Sequence, residues 1–97
     1  MLVATVHANW SESEFRARIK AAPPDVAAFV SRRISCNHWE GESDPAGNIR
    51  ERENEVRQAL SSLRCQSIER DERRLQRKYR RNEQLIRLLR EAHDFQP

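Results

Sequence analysis

At 97 residues, with 37% hydrophobic and 34% charged side chains, the chain is long enough for one domain but too short for a large core. A chain of this size buries only about two-thirds of the surface its unfolded form exposes, so a disulfide, a metal or a partner would add materially to stability. The formal net charge of +3 is low and apolar residues recur periodically, which excludes wholesale disorder, and no run approaches the roughly 18 apolar residues of a membrane helix.

Residues 1–10 are undecided between a strand and a coil. They lack the basic start and sustained apolar run of a signal peptide. That places the protein in the cytoplasm if the chain is complete as given, and outside the cell if it is a processed form. Ser11-Glu12-Ser13-Glu14 reads as a capping box, with Ser11 capping and Glu14 reaching back. A short helix follows, with Phe15, Ile19 and Ala22 on one side. Pro23-Pro24 ends it, because proline has no amide donor and restricts the residue before it. Pro24-Asp25 opens a second helix whose apolar face is Val26, Phe29, Val30 and Ile34, continuing toward Cys36 or His38.

Residues 40–48 hold both glycines, Gly41 and Gly47, together with Pro45, and read as the main loop. Asn48 can cap a third helix, with Glu51 at the reciprocal position and Ile49, Val56, Leu60 and Leu63 on one stripe; Cys65 lies just past its end. Ser67 starts a fourth helix, with Ile68, Leu75 and Tyr79 inward. Its apolar stripe is narrow and the rest is charged, which predicts an outer position and an exposed Glu69–Arg73 pair. Asn82 can cap a last helix whose Leu85, Ile86, Leu88, Leu89 and Ala92 make a wide apolar face. If one edge of that face exceeds the needs of the core, it offers a dimer seam. Residues 94–97, like 1–10, are expected to be loosely ordered. The fold class is therefore all-α: a single domain, 1–97, of four to five short helices in a compact bundle.

Rare residue types concentrate in Cys36-Asn37-His38-Trp39-Glu40-Gly41-Glu42, and Cys65 follows 29 positions after Cys36. Four readings compete. A Cys36–Cys65 disulfide would tie the second helix to the end of the third and, by loop entropy, contribute about 3–4 kcal/mol; it requires an oxidising compartment. Cys36, His38 and Cys65, with a carboxylate from Glu40 or Glu42, are zinc ligands by type. On a helix, however, Cys36 and His38 diverge by about 200°. A nucleophilic Cys36 would need His38 or His93 as base, and no glycine-rich turn beside it suggests an oxyanion hole. In the fourth reading Cys36 is a packed apolar residue, Trp39 covers the helix end, and His38 caps its terminal carbonyls. The expectation is a helix terminus stapled or packed near Cys65, with no catalytic residue and no cofactor.

Charge is unevenly placed. Residues 40–55 hold six acids (Glu40, Glu42, Asp44, Glu51, Glu53, Glu55) against Arg50 and Arg52. Residues 70–81 hold Arg70, Arg73, Arg74, Arg77, Lys78, Arg80 and Arg81 against Asp71 and Glu72. Such asymmetry permits acid-to-base contact within the chain or between copies, and also nucleic-acid binding. Duplex recognition would need some of these arginines on base edges. A helix-turn-helix formed by the last two helices is disfavoured by the apolar fifth helix and a turn without glycine. Single-strand binding wants several aromatic platforms, whereas Trp10, Trp39 and Tyr79 are scattered.

Two stretches resemble known proteins. Cys36-x-His38-Trp39-x-Gly41-Glu42, followed by a helix and Cys65, resembles small uncharacterised bacterial helical proteins, many of them exported; that likeness carries no function. Cys65…Glu72-x-x-Leu75-Gln76-x-x-Tyr79 is similar to the Cys…Asp-x-x-Leu-Asn-x-x-Tyr pattern of the LprI-type lysozyme-inhibitor family. Here Glu stands for Asp and Gln for Asn. The family's Gln-Arg-x-Trp element and further cysteines are absent. The resemblance implies a helical, exported, disulfide-linked binding protein.

The function expected from these features is non-enzymatic: binding another protein, or a second copy, without membrane insertion. Arg73, Arg77, Lys78 and Arg81 form one candidate surface, and His38, Trp39, Glu40 and Glu42 the other. Nucleic-acid binding through residues 68–81 is the alternative. An exported inhibitor-like or metal-binding protein is third.

Overall fold

Five helices and one short 3-10 turn account for nearly all of the described residues. The computed structural model describes residues 10–42 and 50–97. The strand-or-coil alternative for residues 1–9, and the proposed Asn48 cap with Ile49, lie outside that range. Helix α1 (Glu12–Ala21) begins as its sequence dictates. The Glu14 amide donates to Ser11 Oγ at 3.1 Å, and the Ser11 amide donates to the Glu14 carboxylate at 3.0 Å. Both bonds satisfy donors that a helix start leaves orphaned. The box holds Glu14 below the usual carboxylate range, chiefly through the Ser11 amide. Phe15 is buried, and Pro23 ends the helix.

Helix α2 (Pro24–Gly41) is the axis of the fold and touches every other helix. Pro24 suits its first turn, where no intrahelical donor is needed. Val26, Phe29, Val30 and Cys36 form its buried face. The helix does not end near Cys36 or His38; it runs through both to Gly41, where the Glu42 amide closes on the Trp39 carbonyl at 3.1 Å. No breaker stands between Pro24 and Gly41. Asn37, a poor helix former, is used for a tertiary hydrogen bond instead of a local one.

Helix α3 (Arg50–Ser62) buries Val56 and leans Leu60 and Leu63 on the core. It ends at Arg64, the one non-glycine residue in the left-handed region among the described residues, at φ 55°. The 3-10 turn Cys65–Ser67 leads into α4 (Ile68–Lys78). Ile68 and Leu75 are buried, as their spacing predicts. So is Glu72, so α4 is not simply an outer helix with a solvated polar face. Helix α5 (Glu83–Asp94) starts where Asn82 Oδ1 accepts the Leu85 amide at 3.1 Å. Leu88, Leu89 and Ala92 are buried, with Leu85 and Ile86 packed against the same cluster. The core takes both edges of that face, so little remains for a dimer seam.

The chain end is tied down rather than frayed. The Phe95 ring stacks on Phe15 with centroids 5.3 Å apart, and its carbonyl accepts Asn37 Nδ2 at 3.0 Å. No helix among the described residues is long and apolar enough to cross a membrane.

Candidate functional site

Three polar side chains of α2 that the sequence pattern does not flag organise the molecule. Arg32 donates through Nε to the Leu63 carbonyl at 2.6 Å, and through Nη2 to the Arg64 carbonyl at 2.9 Å and Ser67 Oγ at 3.1 Å. Its Nη1 meets Asp71 at 2.9 Å; burial pushes that carboxyl up, but Arg32 together with Arg70 and Arg74 holds it below its ordinary range. One guanidinium therefore caps the end of α3 and grips the start of α4. Asn37 serves the end of α5, donating to the Ala92 carbonyl at 3.0 Å as well as to Phe95. Arg33, only 4% exposed, contacts both Glu69 carboxylate oxygens, at 3.0 and 3.2 Å. Its distance to Glu72 is 3.6 Å, beyond hydrogen-bond range. Arg33 holds Glu69 low, whereas burial pushes the Glu72 carboxyl up. Arg33 thus replaces the predicted Arg73 as the partner of Glu69. A signal for the pair exists: Arg33 falls on the Phe29–Val30 stripe, and Glu72 lies between Ile68 and Leu75 on theirs.

Cys36 and Cys65 are joined in a disulfide with Cα atoms 5.7 Å apart. Neither sulfur is then a thiolate, so the zinc set Cys36, His38 and Cys65 does not form, and Cys36 is not a nucleophile. His38 is exposed, and its ring meets Trp39 edge-on at 5.5 Å rather than capping carbonyls, because the helix runs past it. Over the Trp39 ring lies Arg52, whose guanidinium pairs with Glu42 and, at 2.9 Å, with Glu55. The acidic end is therefore partly neutralised from within: Glu42 is occupied, whereas Glu40 is exposed.

The basic residues gather where α4 turns into α5. Lys78 donates to Asp25 at 2.7 Å, and the Tyr79 hydroxyl donates to the same carboxylate at 2.9 Å. These bonds pin the turn to the start of α2 and hold Asp25 below its ordinary range, with Lys78 raised in return. Around this anchor Arg77, Lys78, Tyr79, Arg80, Arg81 and Asn82 line an open concavity of about 470 Å³. Asp71 serves Arg70 and Arg74, but Arg73, Arg77, Arg80 and Arg81 form no salt bridge among the described residues. The structure thus brings Arg77, Lys78 and Arg81 together and adds Arg80, while Arg73 lies a turn earlier on α4. Asp25 and Glu42 stand at opposite ends of α2, separated by about 26 Å at 1.5 Å per residue. The acidic and basic candidate surfaces therefore do not neutralise each other within one chain.

No family model, curated protein or solved structure matches the chain. Of the positions aligned with the lysozyme-inhibitor pattern, Cys65, Glu72 and Leu75 are buried, and Gln76 and Tyr79 are half-buried, with Glu72 and Gln76 differing from the pattern in residue type. That likeness is therefore carried mainly by packing positions.

Proposed function

We propose that the protein is a non-enzymatic binding module that docks an acidic stretch of another protein, or of a second copy, at the turn between α4 and α5. One observation carries the reading: Arg77, Arg80 and Arg81 surround an open concavity and form no salt bridge among the described residues. Guanidinium forks match carboxylates two bonds at a time, and an unneutralised cluster steers acidic partners toward it. The exposed Glu40 and Glu51 at the far end of the molecule offer a second copy such a stretch. Because the two surfaces lie at opposite ends, that contact would be head-to-tail.

Nucleic acid is the competing occupant of the same cations. The aromatic side chains argue against a single strand. Trp10 has Arg87 and Arg18 over its ring at 4.2 and 4.9 Å, Trp39 has Arg52 at 5.9 Å, and Tyr79 has Lys78 at 5.2 Å. None is an open platform for a base. The test is a fluorescence titration with an acidic peptide and with DNA and RNA oligonucleotides of equal charge, at two salt concentrations. Sedimentation of the protein alone runs beside it. The expected result is peptide binding or salt-sensitive self-association, abolished in the Arg77→Glu, Arg80→Glu, Arg81→Glu triple variant. Tight, salt-dependent binding of the oligonucleotides alone would replace this reading with the nucleic-acid one.

A further inference from the structure

We propose that Glu69, Glu72 and His93 form a binding site for a borderline divalent cation of the zinc type at the seam between α4 and α5. One ligand atom from each residue lies within 4.8 Å of the others. Glu69 and Glu72, three residues apart, share one face of α4, and His93 comes from the last turn of α5.

Two further observations single this cluster out from ordinary surface acids. The Glu72 side chain is only 9% exposed, and its Oε1 accepts no hydrogen bond among the described residues; the cation facing it, Arg33 Nη2, stands 3.6 Å away, beyond hydrogen-bond range. A buried carboxylate oxygen without a hydrogen bond is costly unless a proton or a closer cation meets it. The second concerns the imidazole. His93 Nδ1 sits 3.1 Å from Asp94 Oδ1, and Nε2 points toward Glu69 at 3.6 Å. A carboxylate behind one ring nitrogen, leaving the other to ligate, is the usual setting of a metal-bound histidine.

Arg33 is the resident competitor: its Nη2 donates to both Glu69 oxygens and stands 3.6 Å from Glu72 Oε1. An ion would take Glu72 Oε1, His93 Nε2 and Glu69 Oε2, leaving Arg33 the other Glu69 oxygen. Ligands at about 2.0–2.2 Å around one ion stand closer together than these atoms do now. The movement falls to Glu69 and His93, whose side chains are 56% and 44% exposed, while Glu72 stays in place. A fourth position faces solvent. One imidazole with two carboxylates suits zinc, cobalt or nickel better than calcium or magnesium. Binding requires ionised carboxylates and a neutral imidazole, so uptake weakens as pH falls.

The test titrates the intact, oxidised chain with Co²⁺, read by visible absorption, and with Zn²⁺, read by calorimetry. The expected result is one ion per chain, without the sulfur charge-transfer band that thiolate ligation would give. His93→Ala and Glu72→Gln each weaken uptake tenfold or more, and Asp94→Asn weakens it by about 10-fold to 100-fold. His93 is exposed, so its variant keeps the fold, checked by circular dichroism. Absence of saturable uptake, or affinity unchanged by His93→Ala, overturns the proposal; calcium or magnesium binding in preference to zinc does the same.

Discussion

Arg32→Met tests whether the end of α3 is held by tertiary contact rather than by its own sequence. The left-handed conformation at Arg64 costs a non-glycine residue about 1–2 kcal/mol, and no glycine is present to absorb it. Arg32 compensates from α2, with bonds to the Leu63 and Arg64 carbonyls, a bond to Ser67 and an ion pair with Asp71. Methionine keeps the aliphatic stem and removes all four interactions. Hydrogen bonds from a charged donor contribute about 1.5–3 kcal/mol each. The site is one-fifth exposed, so water partly replaces them. A net loss of about 3 kcal/mol follows, or roughly 12–24 °C in melting temperature for a domain of this size. The assay is urea unfolding of oxidised protein followed by far-UV circular dichroism, with Arg16→Met as the control. Arg16 forms only an exposed pair with Glu12 and should change stability by less than about 0.5 kcal/mol. If Arg32→Met costs no more than the control, the α3 end does not depend on α2 and the reasoning fails.

Arg64→Gly should stabilise the protein by about 1 kcal/mol, because glycine meets no steric penalty at φ 55°; a loss in thermal melting would contradict the strain assignment. Replacing both Cys36 and Cys65 with alanine should lower stability by about 3–4 kcal/mol through loop entropy, and thiol labelling of unreduced native protein should find no free thiol; two labelled thiols would refute the staple. Phe95→Ala should cost about 1–2 kcal/mol from the lost stack on a half-buried ring, whereas a frayed end would show almost no change in the denaturation midpoint. Acid should destabilise the fold. Asp25, Glu69 and Asp71 are lowered when folded, so their stabilisation is present above the unfolded values of 3.8 to 4.5 and lost as pH falls through the folded ones. Glu72 is raised and acts oppositely: its contribution is full below 4.5 and is lost as pH rises through its folded value. Melting temperature should therefore drop below about pH 4, less steeply in Asp25→Asn; an unchanged acid limb in that variant would refute the assignment.

Helix starts were legible in this chain because capping is local. Ser11 and Glu14, like Asn82 and the Leu85 amide, lie three residues apart and are settled by the backbone between them. The apolar stripes were legible for the same reason: Val26, Phe29 and Val30, or Leu88, Leu89 and Ala92, need only helical periodicity to share a face. The end of α2 lies at Gly41, past the Cys36 and His38 toward which its apolar face continues, although Asn37 is a poor helix former. Asn37 is neutralised as a breaker by carbonyls 55 and 58 residues away.

By itself, the sequence determined an all-α chain with its helix starts, most of its core faces and one cysteine pair suited to a staple. Tertiary structure decided which charges are buried and which are free. Arg32, Arg33 and Glu72 resemble solvated residues until packing brings their partners within reach. Arg77, Arg80 and Arg81 resemble the rest of a basic helix until the fold leaves them without a salt bridge among the described residues, while Arg74 pairs with Asp71 and Lys78 with Asp25. Pairing energy depends on distances across the fold, and composition and spacing along one helix do not contain those distances.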